Sequence, residues 1–117
     1  MKTLLTVCLA TIVAFVPVQQ ATAASSQNVT IKAKNFAFSP AVVTLKQGQT
    51  THITFVSTQG VHGLTVPEIG LNQTVTITTR PTTVTVRPAR RGTFVAHCAI
   101  FCGAGHAHMQ ITFKVMK

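Results

Sequence analysis

The chain is nearly without acid: Glu68 is its single aspartate or glutamate in 117 residues, against ten lysines and arginines. No pair of carboxylates exists, so general acid–base catalysis by a carboxylate dyad is excluded. Tryptophan and tyrosine are absent altogether. Without them, and with most phenylalanines placed where a core would use them, the basic surface lacks the stacking platforms of a nucleic-acid binder. Helical periodicity of useful length is also missing, as are internal repeats, low-complexity tracts and a second-domain linker. A chain of this length is expected to build one core.

What is present begins with a leader. Met1-Lys2 precede an apolar run from Leu4 to Val18, broken only by threonines and Pro17, and Ala21-Thr22-Ala23 follows. This is the pattern of a secretory signal peptide over residues 1–23. The run is short for a bilayer span and carries a proline near its end, which disfavours an uncleaved anchor. An exported, periplasmic domain over residues 24–117 is expected, with Cys8 in the part removed. Loss of Lys2 takes the formal charge from +9 to +8. Such a charge predicts an anionic partner, either a redox protein with an acidic docking face or an anionic membrane surface. Export argues against nucleic acid as well.

From Asn28 onward the pattern has period two and is rich in β-branched residues, which predicts an all-β domain. The expected strands are Val29 to Ala33, Val42 to Leu45, Thr50 to Val56, His62 to Val66, Thr74 to Thr78, Thr82 to Arg87, Thr93 to Cys98 and Gln110 to Val115. Ser39-Pro40, Gln47-Gly48, Gln59-Gly60, Arg80-Pro81 and Arg91-Gly92 supply turn chemistry between them. Seven or eight short strands so spaced suggest a Greek-key sandwich or barrel. Alternation puts Ile53 and Phe55 inward, as it does Ile111, Phe113 and Val115. It also puts Phe94, Ala96 and Cys98 on one side of their strand and Thr93, Val95 and His97 on the other, so Cys98 should leave its strand on the core side.

The segment from His97 to Met109 carries the chemistry, with Cys98, Cys102, His106 and Met109 in a Cys-x3-Cys-x3-His-x2-Met spacing on one loop. Thiolate, thioether and imidazole together suit copper, and the intervening glycines and alanines let a tight loop converge its side chains. Zinc competes for Cys and His but has little use for methionine in a structural site. A fifth ligand is wanted from elsewhere, and His62, just after the Gln59-Gly60 turn, is the candidate.

On these residues the chain resembles the cupredoxin family, and within it the binuclear copper (CuA) domain of cytochrome c oxidase subunit II and of nitrous oxide reductase. The likeness extends to Phe38-Ser39-Pro40 with Val43 to Gly48, to Val61-His62-Gly63-Leu64, and to Arg91-Gly92-Thr93-Phe94 before the cysteine loop. The resemblance implies two copper ions bridged by the sulfurs of Cys98 and Cys102. It implies that His62 and Met109 complete one copper, and His106 and the backbone carbonyl of Ile100 the other. The oxidase subunits commonly have glutamate where this chain has Ile100. That difference, the lack of a transmembrane helical hairpin and the lack of tryptophan favour a free-standing electron carrier over a docked oxidase subunit. Association with a terminal oxidase remains the other arrangement.

Competing readings stay open on the residues alone. A lone cysteine pair in an exported chain is ordinarily a disulfide. A mononuclear cupredoxin would use His62, Cys102, His106 and Met109 and leave Cys98 without a role. A periplasmic copper(I) delivery or storage protein would use the same soft ligands. An enzyme is disfavoured because the ligand set closes the coordination shell. His97 and His108 are expected outside the ligand set, the first by alternation and the second by its place in the motif. His52 is expected on an exposed strand face, and Arg87, Arg90 and Arg91 form either a docking patch or a solvated turn.

Overall fold

A computed structural model of the chain describes residues 3–4, 6–20 and 25–117. Residues 6–20 form neither helix nor strand, and among the described residues no helix is long and apolar enough to cross a membrane. The end of the expected leader, Ala21-Thr22-Ala23, lies outside the described residues.

The described residues form nine strands: β1 (Gln27–Lys34), β2 (Ala37–Ser39), β3 (Val42–Lys46), β4 (Thr51–Ser57), β5 (His62–Val66), β6 (Leu71–Ile77), β7 (Thr82–Val86), β8 (Gly92–His97) and β9 (Gln110–Met116). Eight occupy the segments that alternation predicts. The ninth, β2, corrects the expected seven or eight. Its three residues are too few to show a period of two, and it exists by pairing with the end of β1 through Lys32 with Ser39 and Lys34 with Ala37. β6 also starts earlier than expected, because Leu71 turns inward opposite Val66 across a β-bulge.

The strands form sheets in the orders β2-β1-β4-β7, β3-β9-β8 and β5-β6. Two pairings are parallel, β1 with β4 and β3 with β9, so the chain must pass between the layers rather than meander along one. The inward faces meet in a single apolar core. Ile31, Leu45, Ile53, Phe55, Leu64, Ile77 and Phe113 are fully buried there. Alternation is obeyed where it matters for the site. Ala96 and Cys98 are buried while Thr93, Val95 and His97 are exposed, which delivers Cys98 to the core side at the end of β8. Opposite sides of β4 follow the same rule, and half-buried His52 accepts or donates across to Thr85 of β7 (Nδ1 to Oγ1, 2.9 Å).

Candidate metal centre

The loop from Cys98 to Met109 joins two antiparallel neighbours, β8 and β9, and is pinned at both ends. The Cys98 amide donates to the Met109 carbonyl (3.0 Å), closing the loop's base, and the Ala99 amide donates to the Gly63 carbonyl of β5 (2.8 Å). That second bond ties the loop to the strand that carries His62. Within the loop a 3-10 turn at His106–His108 is held by the Met109 amide on the His106 carbonyl (3.2 Å).

Phe36, just before β2, presses against the loop from outside. A Cβ on Gly103 would come within 2.9 Å of its ring, and one on Gly105 would collide with it. Gly103 also has φ +130°, a conformation that side-chain-bearing residues rarely adopt. The two glycines therefore let the loop lie flat under an aromatic lid.

These restraints bring the six residues singled out in the sequence together. The ligand atoms of His62, Cys98 and Cys102 lie within 4.8 Å of one another. Cys98 Sγ is 4.0 Å from His62 Nδ1 and 3.1 Å from the Ile100 carbonyl oxygen, while Cys102 Sγ is 3.5 Å from His106 Nδ1 and 3.7 Å from Met109 Sδ. His62 and Met109 are fully buried and Cys98 nearly so, whereas Cys102, Ile100 and His106 are half-buried. Both cysteines are free thiols. His97 and His108 are exposed.

His62 shows how the fold prepares a donor. Its Nε2 stands 2.7 Å from the Gln59 carbonyl oxygen, which can only accept, so Nε2 carries the proton and Nδ1 keeps its lone pair toward the sulfurs. Buried Ser57 fixes that carbonyl: its hydroxyl lies 2.9 Å from the Gln59 oxygen and 2.6 Å from the Gly60 oxygen, and it accepts from the Gln59 amide at 3.1 Å. Burial pushes the Cys102 thiol up to about 11 from 9.0, helped by its hydrogen bond and charge interaction with Cys98. The Cys102 thiol therefore resists ionisation unless a cation takes the place of its proton. Imidazole with a free lone pair, two sulfurs and a thioether on one spot form a donor set suited to a soft metal ion.

The family profile for the cupredoxin-like domain matches residues 7–112. The chain belongs to the cupredoxin-like family. No curated protein sequence matches it. Among solved structures, it resembles the periplasmic domain of subunit II of cytochrome oxidase (CoxB) of Bradyrhizobium japonicum, with TM-score 0.68, 14% identity and coverage of 78% of this chain and 84% of that one. It also resembles a chain of a heme-copper terminal oxidase dimer (TM-score 0.65, 23% identity, 91% of this chain and 78% of that). A third relative is found in a mixed-disulfide intermediate between a thioredoxin-like protein, TlpA, and subunit II of cytochrome c oxidase (TM-score 0.66, 12% identity, 86% of this chain and 88% of that). At these identities the likeness establishes a shared fold. Cupredoxin-like domains are in general electron carriers that use copper, and His62, Cys98 and Cys102 could hold a metal ion.

Sequence reasoning did not find the groups that support these residues. Phe36, Ser57, the Gln59 carbonyl and Gly63 all act on the site through packing or backbone. The glycines at 103 and 105 signalled a tight loop without showing what it packs against.

Proposed function

We propose that residues 1–23 direct export and that residues 24–117 form a periplasmic carrier of single electrons with a binuclear, thiolate-bridged copper centre of the CuA type. The observation that carries this reading is the convergence of two free thiols with His62, His106, Met109 and the Ile100 carbonyl at one place. A mononuclear site has no use for Cys98, yet Cys98 sits between His62 Nδ1 and the Ile100 carbonyl.

In this reading Cys98 and Cys102 would be shared by two copper ions, His62 and Met109 would serve one of them, and His106 and the Ile100 carbonyl the other. The bound pair would supply one-electron exchange with the charge shared over both ions. The protein's part is to keep the donors still and the interior dry. Met109 is sealed in the core, His62 is held at Nε2, and the loop is closed by the Cys98 and Ala99 amides. His106 reaches the surface beside Phe101, whose ring is 79% exposed and 5.4 Å from the imidazole at 52°. This edge is where an electron would cross to a redox partner with an acidic face, either a soluble protein or a terminal oxidase. This reading asks only that the residues hold the metal and pass an electron.

Electron paramagnetic resonance with an optical spectrum on the reduced, copper-loaded domain tests the reading. Seven hyperfine lines at two coppers per chain are expected from one electron shared equally by two nuclei. Four lines at one copper would replace it with a mononuclear carrier. A silent copper(I) sample that resists oxidation would replace it with delivery or storage.

A further inference from the structure

The basic residues are not spread evenly over the sandwich. β8 runs into the cysteine loop and β9 leaves it, so the pairings of Gly92 with Val115 and of Lys46 with Met116 mark the opposite end of that sheet. Six residue steps separate Gln110 from Met116, about 20 Å at ~3.3 Å per residue. At this far pole the Gln47 amide donates to the Met116 carbonyl, the Gly48 amide to the Pro88 carbonyl and the Gln47 side chain to the Ala89 carbonyl. These bonds gather the Gln47–Gln49 turn, the segment from Arg87 to Arg91 and the end of β9. Lys46, Arg87, Arg90, Arg91 and Lys117 are all exposed there. Glu68, on the 3-10 turn after β5, lies toward the same pole, since Gly70 next to that turn approaches Arg87, and offsets one of these five charges. Lys32, Lys34 and Arg80 lie nearer the other end, and Lys114, next to Val115, lies on the far-pole side of β9.

The leader joins the domain at this pole too. The Gln49 side chain donates to the Ser25 carbonyl (3.0 Å), and the Gln27 amide donates to the Thr50 carbonyl. Between Ser25, the Gln47–Gln49 turn, Lys46 and Lys117 lies an open concavity of about 390 Å³. Lys46 and Lys117 line this hollow, which is open to the outside.

We infer that this pole docks the domain on an anionic lipid surface and holds the cysteine loop outward, about 20 Å farther from the bilayer. Anionic headgroups match the charge, and the apolar leader places a membrane at this same end during export. A partner that takes electrons would then meet the opposite pole, with Phe101 and His106 unobstructed. The inference rests on charge and topology and is independent of which metal the loop holds.

The test uses the chain from Ser25 onward. Every strand and every core residue lies within it, while Leu4, Ile12 and Phe15 of the leader are more than 90% exposed and contribute nothing to the core. Partition onto vesicles of equal phosphatidylglycerol and phosphatidylcholine is measured against pure phosphatidylcholine, at low and high salt. Binding only to the anionic vesicles, and release by salt, is expected. Arg87 is left in place because its Nε holds the Gly48 carbonyl (2.8 Å). Combining Lys46→Gln, Arg90→Gln, Arg91→Gln and Lys117→Gln should lower the partition by roughly fivefold per charge, about six-hundredfold together. Combining Lys32→Gln, Lys34→Gln and Arg80→Gln should change it much less. Equal loss in the two variants, or no binding of the unmodified domain to anionic vesicles, would overturn the inference. So would retention on immobilised poly-glutamate without vesicle binding, which would make the occupant an acidic protein.

Discussion

Replacing Gly63 by alanine probes the contact that positions the Ile100 carbonyl. An added Cβ would lie 2.7 Å from Ile100 Cγ1, 2.8 Å from Cδ1 and 3.3 Å from Thr74 Cγ2. Carbon atoms pack at about 3.5–4.0 Å, so the Ile100 side chain must retreat by roughly 1 Å. Turning χ2 moves only Cδ1; relief at Cγ1 requires a new χ1 or a shift of the Ile100 backbone, whose carbonyl stands 3.1 Å from Cys98 Sγ. Overpacking of this kind costs about 1–3 kcal/mol. Gly63 has no positive φ, so alanine also recovers about 0.5–1 kcal/mol of backbone entropy in a strand. A net loss of about 1–2 kcal/mol is expected in urea unfolding of the reduced, metal-free domain, with an altered optical spectrum in the copper-loaded one. Ile100→Ala removes both colliding carbons and keeps the carbonyl. Combined with Gly63→Ala it should recover most of the loss, giving a coupling of at least about 1 kcal/mol in the double-mutant cycle. Additive losses, or a Gly63→Ala chain as stable as its parent, would refute the argument that Ile100 is seated on Gly63.

Ser57→Ala should destabilise the domain by about 1–3 kcal/mol in the same assay, because the Gln59 and Gly60 carbonyls and the Gln59 amide lose a common partner. It should also weaken copper binding by about 10–100-fold in a competition titration, since the His62 ring loses its fixed acceptor. Folding favours the protonated Cys102 thiol, which titrates near 11 rather than 9.0. Its contribution is therefore whole below pH 9 and lost as the pH rises through 11, so metal-free stability should fall across that window. Alkylation of Cys102 in the folded chain should accelerate toward pH 11 rather than level off near 9, as followed by mass spectrometry. With no copper present, mild oxidation should join Cys98 to Cys102, block copper uptake, and be reversed by dithiothreitol. Non-reducing mass analysis reads the loss of two hydrogens.

How much was legible in the sequence follows from the range of each signal. Alternation is local, so Phe94, Ala96 and Cys98 could be assigned inward before any partner strand was known, and so could Ile111, Phe113 and Val115. The proposed donor set could be named from the sequence because Cys98, Cys102, His106 and Met109 lie on one loop, where spacing nearly substitutes for geometry. His62 needed the fold, since nothing in its neighbourhood shows that β5 hydrogen-bonds to the residue after Cys98. β2 escaped because three residues carry no period. Phe36 acts over a long sequence separation, on Gly103 and Gly105, and Ser57, though close in sequence to His62, acts through a backbone carbonyl that any residue would possess.

That division has a physical consequence for the site. Donors on a loop alone would converge only at the cost of ordering that loop, and each copper bound would have to offset that entropy. Here the ordering is done before the metal arrives: two amides close the loop, Phe36 presses it flat, and Ser57 sets the His62 tautomer through Gln59. A donor set so held changes little between oxidation states, which is what rapid electron exchange requires of a protein. The half-buried, protonated Cys102 supplies the opposing bias, since its thiol must lose a proton before it can ligate. Copper loading should therefore be rate-limited by deprotonation rather than by loop rearrangement, and its rate should rise with pH while the far-ultraviolet spectrum stays unchanged. A loading rate independent of pH and accompanied by a change in strand content would show that the loop, not the thiol, is the barrier.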